Sequence, residues 1–393
     1  QGTGIPSRAR FLPPAASRPF PAVVAIEQAS NLGDVVSCLP MAAALKQALP
    51  GVRVLFIARP YTRALVESCV HIDGFLDVAE VLADPMLLKR HGVDAFISPF
   101  LSQACGEAAH AAGVPIRVGN LRRLRTLRWA NRFIAQGSRH SARHITELNL
   151  SFLRPLGIHA APPADSDHLG LEKIEPLQEE FAALLDPQRF NLVLHAKSNK
   201  NAREWPAAYF EQLLQLLPPQ RFKVFLTGVA REREELLREC PGLLQNDRVV
   251  DLMGKLSLPQ LIAFYRHADG LVGNSTGPLH IAAALGTHTL GLYPGRERAN
   301  PQRWAPIGSR AETLSLRSSC KPGAGRCPKD YRGEACSCML GIEPATVAGR
   351  VQSWGLNPLR PAAVVPPAGA APPPASPGPQ SPPPPSPAAA APP

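Results

Sequence analysis

Short apolar runs alternate with amphipathic segments along most of the chain, and this alternation predicts its fold. The apolar runs predict strands at 22–26, 53–57, 94–98 and 116–118, and later at 191–196, 223–228, 249–252, 270–273 and 289–293. The amphipathic segments between them predict helices at 35–48, 62–68 and 103–112, and later at 206–216, 230–240, 259–267 and 278–285. Such alternation is typical of parallel, doubly wound sheets. We therefore expect an α/β protein with two Rossmann-like halves.

The length and the composition divide the chain into four parts. With 393 residues, two domains of ordinary size are expected. We predict them at 21–175 and 176–355, joined through the region of residues 155–185. Residues 1–20 precede the first strand, and residues 356–393 are almost entirely proline and alanine, so both ends are expected to be disordered. Ligands of doubly wound sheets bind at the carboxyl ends of strands, so both domains should face one cleft.

The net charge of the chain limits the kinds of partner that it is expected to bind. A formal net charge of +11 indicates an acidic partner, which is a nucleic acid, an anionic membrane surface or a phosphorylated substrate. No run of basic and aromatic residues resembles a nucleic-acid module, so nucleic acid is the weakest of the three. No apolar stretch reaches the roughly 20 residues that span a bilayer, and residues 1–21 lack the apolar core of a signal peptide. We expect a cytoplasmic protein that can touch a membrane peripherally.

The segment from Gly273 to Gly286 carries the strongest sign of a ligand site. An apolar strand leads into the sequence GNSTGP, and an alanine-rich helix follows. Pro278 fits the first turn of that helix. Unpaired N–H groups and the positive end of the helix dipole make such a helix start an anion site, suited to a phosphate or pyrophosphate. One turn later, His280 can add a hydrogen bond or a positive charge.

Two other interpretations of this segment stay open. A glycine-rich turn is also typical of a buried strand–helix corner that binds nothing. In addition, Gly273-x-Ser275-x-Gly277 matches the nucleophile elbow of serine hydrolases, which needs an acid and then a histidine further along the chain. Only His280 and His288 follow Ser275, so the hydrolase interpretation lacks its base.

The first strand–helix loop is the second candidate site. It reads Gln28-Ala29-Ser30-Asn31-Leu32-Gly33-Asp34. Gly33 allows the backbone to approach a ligand closely. Asp34 stands at a helix start, where its structural role would be that of the N-cap residue. Its functional role would be that of a carboxylate that takes a proton from an acceptor hydroxyl.

Several motifs in the same order resemble one family. Gly33-Asp34-Val35-Val36 with Leu39-Pro40, and later Gly277-x-x-His280-x-Ala282-Ala283, resemble the lipopolysaccharide heptosyltransferases of glycosyltransferase family nine. Arg203-Glu204-Trp205-Pro206 looks like the Lys-x-Trp-Pro segment of that family. Leu292-Tyr293-Pro294-Gly295 and Arg303-Trp304 are similar to its next two motifs. The resemblance covers about residues 20–350 and implies the GT-B fold, in which two Rossmann-like domains face each other.

The resemblance also implies roles for individual residues. Asp34 matches the aspartate proposed as the general base. Arg203 stands where the family usually has a lysine that contacts the donor phosphate. Ser275 stands where these enzymes commonly carry aspartate, which removes a charge beside the donor. The remaining donor-binding candidates are Thr276, Gly277 and His280 at the pyrophosphate site and Glu232 near the nucleoside.

A basic segment is the candidate for the acceptor. In this family the second half of the first domain receives an acceptor that bears acidic sugars and phosphates on lipid A. Arginines suit such groups, and an amphipathic basic segment suits an anionic bilayer surface. A solvated helix face is the plainer interpretation. The acceptor-binding candidates are Gly33, Arg122, Arg125, Arg128, Arg143 and His144.

The resemblance implies an inverting glycosyltransferase that moves heptose, or a related sugar, from a nucleotide-sugar such as ADP-heptose to the lipopolysaccharide core. Such a transferase needs no metal or other cofactor, because protein cations and N–H groups neutralise the leaving diphosphate. The alternative is a non-catalytic sugar-nucleotide or glycan-binding protein on the same fold. The cysteines between Cys320 and Cys338 match no common zinc spacing, and a reduced structural loop is the plainer interpretation.

Overall fold

Two parallel β-sheets organise the chain. In the computed structural model, the described residues are 21–137, 143–165, 169–198, 203–295, 300–316 and 337–356. The strands of the first sheet are β1 Val23–Glu27, β2 Arg53–Ala58, β3 Gly74–Asp77, β4 Ala95–Ile97, β5 Ile116–Asn120 and β6 Arg132–Ile134. Those of the second sheet are β7 Phe190–His195, β8 Phe222–Leu226, β9 Val249–Asp251, β10 Gly270–Asn274, β11 His288–Tyr293 and β12 Ala311–Ser315.

The two sheets share one topology. The first has the order β3-β2-β1-β4-β5-β6, and the second has the order β12-β11-β10-β7-β8-β9. Every pair of neighbouring strands is parallel. The strand order therefore reverses between β1 and β4 in the first sheet and between β7 and β10 in the second. In doubly wound sheets, ligands bind outside the carboxyl ends of the strands at these reversal points.

Helices connect the strands. They are α1 Leu32–Ala48, α2 Arg63–Glu67, α3 Val78–Ala83, α4 Met86–Arg90, α5 Gln103–Ala111, α6 Ile145–Leu150, α7 Glu179–Ala182, α8 Ala207–Leu216, α9 Ala230–Glu239, α10 Pro241–Leu244, α11 Leu258–His267, α12 Gly277–Ala284, α13 Pro301–Trp304, α14 Ser337–Leu340 and α15 Pro344–Gln352. The seven predicted ones are α1, α2, α5, α8, α9, α11 and α12. Short 3₁₀ helices lie at Pro60–Thr62, Leu124–Arg128 and Ser151–Leu156.

The fold prediction is confirmed, with boundary shifts of one to three residues. The prediction omits β3, β6 and β12, which have three to five residues with partly exposed side chains and therefore carry a weak apolar signal. All three lie at sheet edges, where one side faces no strand. The predicted disorder of residues 1–20 falls outside the described residues, as does that of the tail except for Leu356. The domain boundaries stay predictions.

One hydrophobic core joins the two halves. It contains Val35 and Leu39 of α1, and it also contains Leu279 and Ala282 of α12. Helix α12 is buried along almost its whole length, because its apolar residues and small alanines let it pack against both α1 and β11. The carboxyl edges of the two sheets are thereby brought together at the starts of α1 and α12.

Candidate active site

Asp34 lies in the first turn of α1, at the carboxyl end of β1. Because the helix begins at Leu32, Asn31 is the N-cap and Asp34 is the third helical residue. Its carboxylate accepts hydrogen bonds from the Ser30 hydroxyl at 3.1 Å and from the Asn31 backbone N–H at 3.3 Å. These bonds close the start of the helix. The sequence predicted Asp34 as the N-cap itself, but the helix begins three residues earlier than predicted and Asn31 takes that position. The bonds from Ser30 and Asn31 fix the position of the Asp34 carboxylate.

The surroundings of Asp34 make it a stronger base than an ordinary aspartate. Burial raises the pKa of its carboxyl above the usual 3.8, and the bonds from Ser30 and Asn31 only partly oppose this effect. The side chain nevertheless keeps some exposure. A carboxylate with a raised pKa and access to solvent is suited to accept a proton from a bound hydroxyl group.

The start of α1 lies directly against the start of α12. A methyl group added at Gly277 would lie 2.6 Å from Cβ of Leu32 and 3.1 Å from the backbone nitrogen of Gly33. A methyl group at Gly33 would lie 3.2 Å from Cδ2 of His280. Because Gly33 has no side chain, α12 of the other half can lie directly against it. The two motifs singled out from the sequence meet at this contact.

The start of α12 has the features of an anion site. Thr276 is its N-cap, with extended backbone angles, and Pro278 lies in the first turn. The N–H groups of this turn have no acceptor within the helix. The Thr276 hydroxyl oxygen is buried and has no hydrogen-bond partner in the part of the chain that the structure describes. An orphaned buried hydroxyl beside free N–H groups is satisfied when an anionic ligand binds.

His280 is neutral at this site. Burial, with a smaller effect from His144, lowers the pKa of its imidazole to about 4. The positive charge that the sequence allowed is therefore absent near pH 7. His280 can contribute a hydrogen bond to a ligand but no net charge, so cationic neutralisation of a phosphate must come from another residue.

Asn274 ties the two loops of the second reversal point together. It is fully buried at the end of β10. Its amide nitrogen donates to the Ala196 carbonyl at 2.8 Å, and its amide oxygen accepts from the Trp205 N–H at 2.8 Å. Ala196 after β7 and Trp205, two residues past Arg203, are thereby fixed beside the end of β10, which leads into Ser275 and Thr276. Sequence analysis did not single out Asn274; an amide that ends a buried strand is the signal that could have found it.

An ion-pair network joins two residues that lie between β7 and α8 to a residue of α9. Lys197 is buried, and its ammonium group lies 2.6 Å from Glu204 and 3.0 Å from Glu239. Burial opposes the charge on Lys197, but these two carboxylates offset that effect and leave its pKa above the usual value. Arg203 stands next to Glu204, partly buried at the carboxyl edge of the second sheet. Lys197 was not predicted from the sequence.

Two further donor-site candidates lie at the ends of neighbouring elements. Ser275 is half-buried directly after β10, near the buried phenol of Tyr293, whose hydroxyl donates to the Trp304 carbonyl at 2.6 Å. The buried carboxylate of Glu232 accepts from the Val229 N–H at 3.0 Å and caps α9, which follows β8; β7 lies between β8 and β10, the strand before α12. Both lie at the carboxyl edge of the second sheet.

The basic segment is a loop and a short 3₁₀ helix rather than a continuous helix. In the basic loop, residues 121–128, every arginine is exposed and no acidic residue occurs. Leu121, Leu124 and Leu127 are also exposed, by 46%, 78% and 51%. The loop is anchored by the buried Thr126, whose hydroxyl donates to the Asn120 carbonyl at 2.9 Å. This surface is both cationic and apolar.

Arg143 and His144, which the sequence analysis grouped with the basic segment, do not extend its positive charge. Arg143 is paired with Glu147 at 2.5 Å. Burial lowers the pKa of His144, and its two ring nitrogens lie 3.2 Å from the Thr146 N–H and 2.8 Å from the Ala305 carbonyl. His144 is therefore a neutral link between the two halves. Its acceptor-binding role stays a prediction.

A buried glutamate joins the two loops at the first reversal point. Glu27 ends β1 with no exposure, and its carboxyl accepts from the Ala29 N–H at 3.1 Å and from the Ser98 hydroxyl at 2.6 Å. Burial raises its pKa. The loops after β1 and β4 are thereby joined. The signal in the sequence was a charged residue at the end of the apolar run Val23–Ile26.

Among the described residues, no three histidine, cysteine or acidic side chains group as metal ligands. Cys320, Cys327 and Cys336 lie outside the described ranges, and Cys338 is buried. Within those ranges, no helix is both long and apolar enough to cross a bilayer.

Comparisons with known proteins bear on this arrangement. A Haemophilus influenzae protein with a provisional glycosyltransferase name is 26% identical over 293 aligned residues, covering 70% of this chain and 84% of that protein. The lipopolysaccharide core heptosyltransferase OpsX of the same species is 26% identical over 208 residues, covering 49% and 59%. The structure of E. coli ADP-heptose lps heptosyltransferase II superposes with a TM-score of 0.64 at 18% identity, covering 84% of this chain and 97% of that one.

The family model of glycosyltransferase family 9 (heptosyltransferase) matches residues 111–329, more than half of the chain. This range contains the whole of the α12 site, and Asp34 lies before it. The two facing Rossmann-like sheets have the fold of the solved heptosyltransferase. The chain therefore belongs to glycosyltransferase family 9, the heptosyltransferase family, and is a glycosyltransferase with the GT-B fold.

Proposed function

We propose that the protein transfers heptose from ADP-heptose to the lipopolysaccharide core, with inversion at the anomeric carbon. The contact between the starts of α1 and α12 is the observation that carries this proposal. It brings a basic carboxylate on one sheet close to an anion site on the other. An inverting transferase needs the base and the site of the leaving diphosphate on opposite faces of the anomeric carbon.

The residues of the site then act in a single displacement. The Asp34 carboxylate takes the proton of the acceptor hydroxyl while its oxygen attacks the anomeric carbon. The bond from that carbon to the diphosphate breaks, and the nucleoside diphosphate leaves. The N–H groups of α12, the Thr276 hydroxyl and Arg203 stabilise the developing charge, so the scheme needs no metal. Asp34 afterwards releases its proton to water.

ADP-heptose is the donor that the relatives favour, since the E. coli structure is that of an ADP-heptose enzyme. Ser275 stands where the family commonly has aspartate. A serine hydroxyl is uncharged, so this position offers the donor sugar a hydrogen bond and no charge.

The acceptor is lipid-linked, and we place the enzyme peripherally on the cytoplasmic face of the inner membrane. The basic loop supports this placement. Its arginines suit anionic headgroups, while three exposed leucines can enter the boundary of the acyl chains.

Transfer assays with ADP-, UDP- and GDP-heptose and a heptose-deficient core acceptor test the proposal. We expect transfer from ADP-heptose. Arg203→Ala should weaken donor binding roughly 10- to 100-fold in calorimetry, which is the effect of one charge-assisted contact. Arg203→Lys should restore most of it. Arg238→Ala, at an exposed position of α9, is the control.

The alternative function is non-catalytic sugar-nucleotide or glycan binding. The uncharged Ser275 is the feature that favours it. Tight binding of ADP-heptose without transfer to any core acceptor would establish this alternative.

A further inference from the structure

Two exposed aromatic side chains flank the loop that carries Asp34. Tyr61 follows β2 and is 49% exposed, and Phe100 follows β4 and is 50% exposed. Strands β2 and β4 are the two neighbours of β1. Their carboxyl ends therefore place one ring on each side of the loop after β1.

Hydrogen bonds connect Tyr61, and the turn that carries Phe100, to the Asp34 loop. The Tyr61 hydroxyl donates to the Ser30 carbonyl at 2.7 Å, and the Ser30 hydroxyl in turn contacts Asp34. On the other side, Glu27 joins Ala29 to Ser98, two residues before Phe100. Each ring is thus held in a defined place relative to the carboxylate.

The backbone around Phe100 is arranged to expose that ring. Residues 98–101 form a turn closed by a bond from the Leu101 N–H to the Ser98 carbonyl at 3.0 Å. Leu101 has a φ of 59°, the single positive value for a non-glycine residue among those the structure describes. This strained conformation lets Leu101 pack against the core while Phe100 stays in solvent. Strain of this kind is concentrated at functional sites.

We propose that Tyr61 and Phe100 form an aromatic platform that binds the acceptor sugar on either side of Asp34. A sugar ring presents C–H bonds of slight positive charge on its faces, and the face of an aromatic ring is negative. The platform lies on the first sheet, and the donor site lies on the second. It therefore orients the attacking hydroxyl toward the base. This inference rests on the proposed transferase function.

The test uses a water-soluble, deacylated core oligosaccharide, so that membrane binding plays no part. Phe100→Ala should raise the acceptor KM about threefold to tenfold and leave the donor KM unchanged. Phe100→Trp should restore the parent value within about twofold, because the ring is kept. Likewise Tyr61→Leu should raise the acceptor KM, and Tyr61→Phe, which keeps the ring but loses the bond to Ser30, should raise it less. Leu216→Ala, which removes an equally exposed side chain from the second half, is the control.

The possible failures are distinct. If the parent protein transfers heptose and Phe100→Ala has the parent's acceptor KM, the platform is wrong while the proposed function stands. If Phe100→Ala changes only the binding to anionic vesicles, the ring is a membrane anchor and the platform is wrong. If the parent neither binds nor glycosylates the oligosaccharide, the proposed function falls, and this inference falls with it.

Discussion

In the proposed mechanism, the Asp34 carboxylate has both a structural and a chemical role. Its bonds from Ser30 and Asn31 close the first turn of α1, and they also hold the side chain at the carboxyl edge of the first sheet. Burial raises its pKa, so the carboxylate binds protons more strongly than an exposed aspartate. The position that caps the helix is therefore also the one that the proposed general base requires.

Asp34→Asn separates these two roles. The amide keeps an oxygen that can accept both capping bonds, so thermal stability should change little. Loss of the base should lower the transfer rate by about 10²- to 10⁴-fold, with donor affinity unchanged in calorimetry. In the parent, activity should rise with pH as Asp34 loses its proton, and this rise should lie above pH 3.8 because the pKa is raised. Transfer at the parent's rate would show that the base lies elsewhere.

At the scale of elements, the contact between α1 and α12 depends on two glycines. Gly277→Ala would place a methyl group 2.6 Å from Leu32 Cβ, so the two helices must separate. We expect a loss of roughly 1–3 kcal/mol in the free energy of unfolding, together with reduced transfer. Gly349→Ala in α15 is the matched control.

The added methyl group at Gly349 meets nothing within 4 Å. Alanine favours the helix there, and we expect a gain of about 0.5–1 kcal/mol. Thermal or denaturant unfolding measures both changes. Equal stability of the two variants would mean that the starts of α1 and α12 are not in close contact.

The sequence of the basic loop reveals its cationic residues but not its backbone conformation. Replacing Arg122, Arg125 and Arg128 by serine should weaken binding to anionic vesicles on the order of a hundredfold at low salt. The difference should shrink at high salt, because exposed charges are screened. Replacing Leu124 and Leu127 by serine should weaken binding at all salt concentrations.

A charge-matched control keeps this test specific. Arg53, Lys89 and Arg238 are exposed at other places on the surface. Changing all three to serine removes the same net charge from the protein. If this variant loses as much vesicle binding as the loop variant, overall charge and not the basic loop governs the association.

At the scale of the whole molecule, the sequence predicts the architecture better than the site. Long buried strands such as β1 and β10 are evident from their apolar runs, and their order implies the two sheets. Contacts between distant segments are not evident, since no local pattern joins Glu27 to Ser98 or Asn274 to Trp205. The charge of His144 and His280 was likewise not predictable, because it depends on burial that only the assembled halves create.

Two buried histidines should make the folded state sensitive to acid. Burial lowers the pKa of both His195 and His280 from 6.5 to about 4. Below pH 6.5 the unfolded chain binds protons at these positions and the folded chain does not. Their contribution to stability is therefore complete above pH 6.5 and is lost as the pH falls from 6.5 toward 4.

Glu27 and Asp34 act in the opposite direction, because their pKa values are raised and protonation favours the folded state. The histidine effect is therefore measured as a difference between variants. The unfolding temperature of the parent should fall more between pH 7 and pH 5 than that of a His195→Asn, His280→Asn double variant. His159→Asn, at an exposed position, should keep the parent's slope. Parallel curves for parent and double variant would show that neither buried histidine is linked to folding, and the neutral His280 of the donor site would have to be reconsidered.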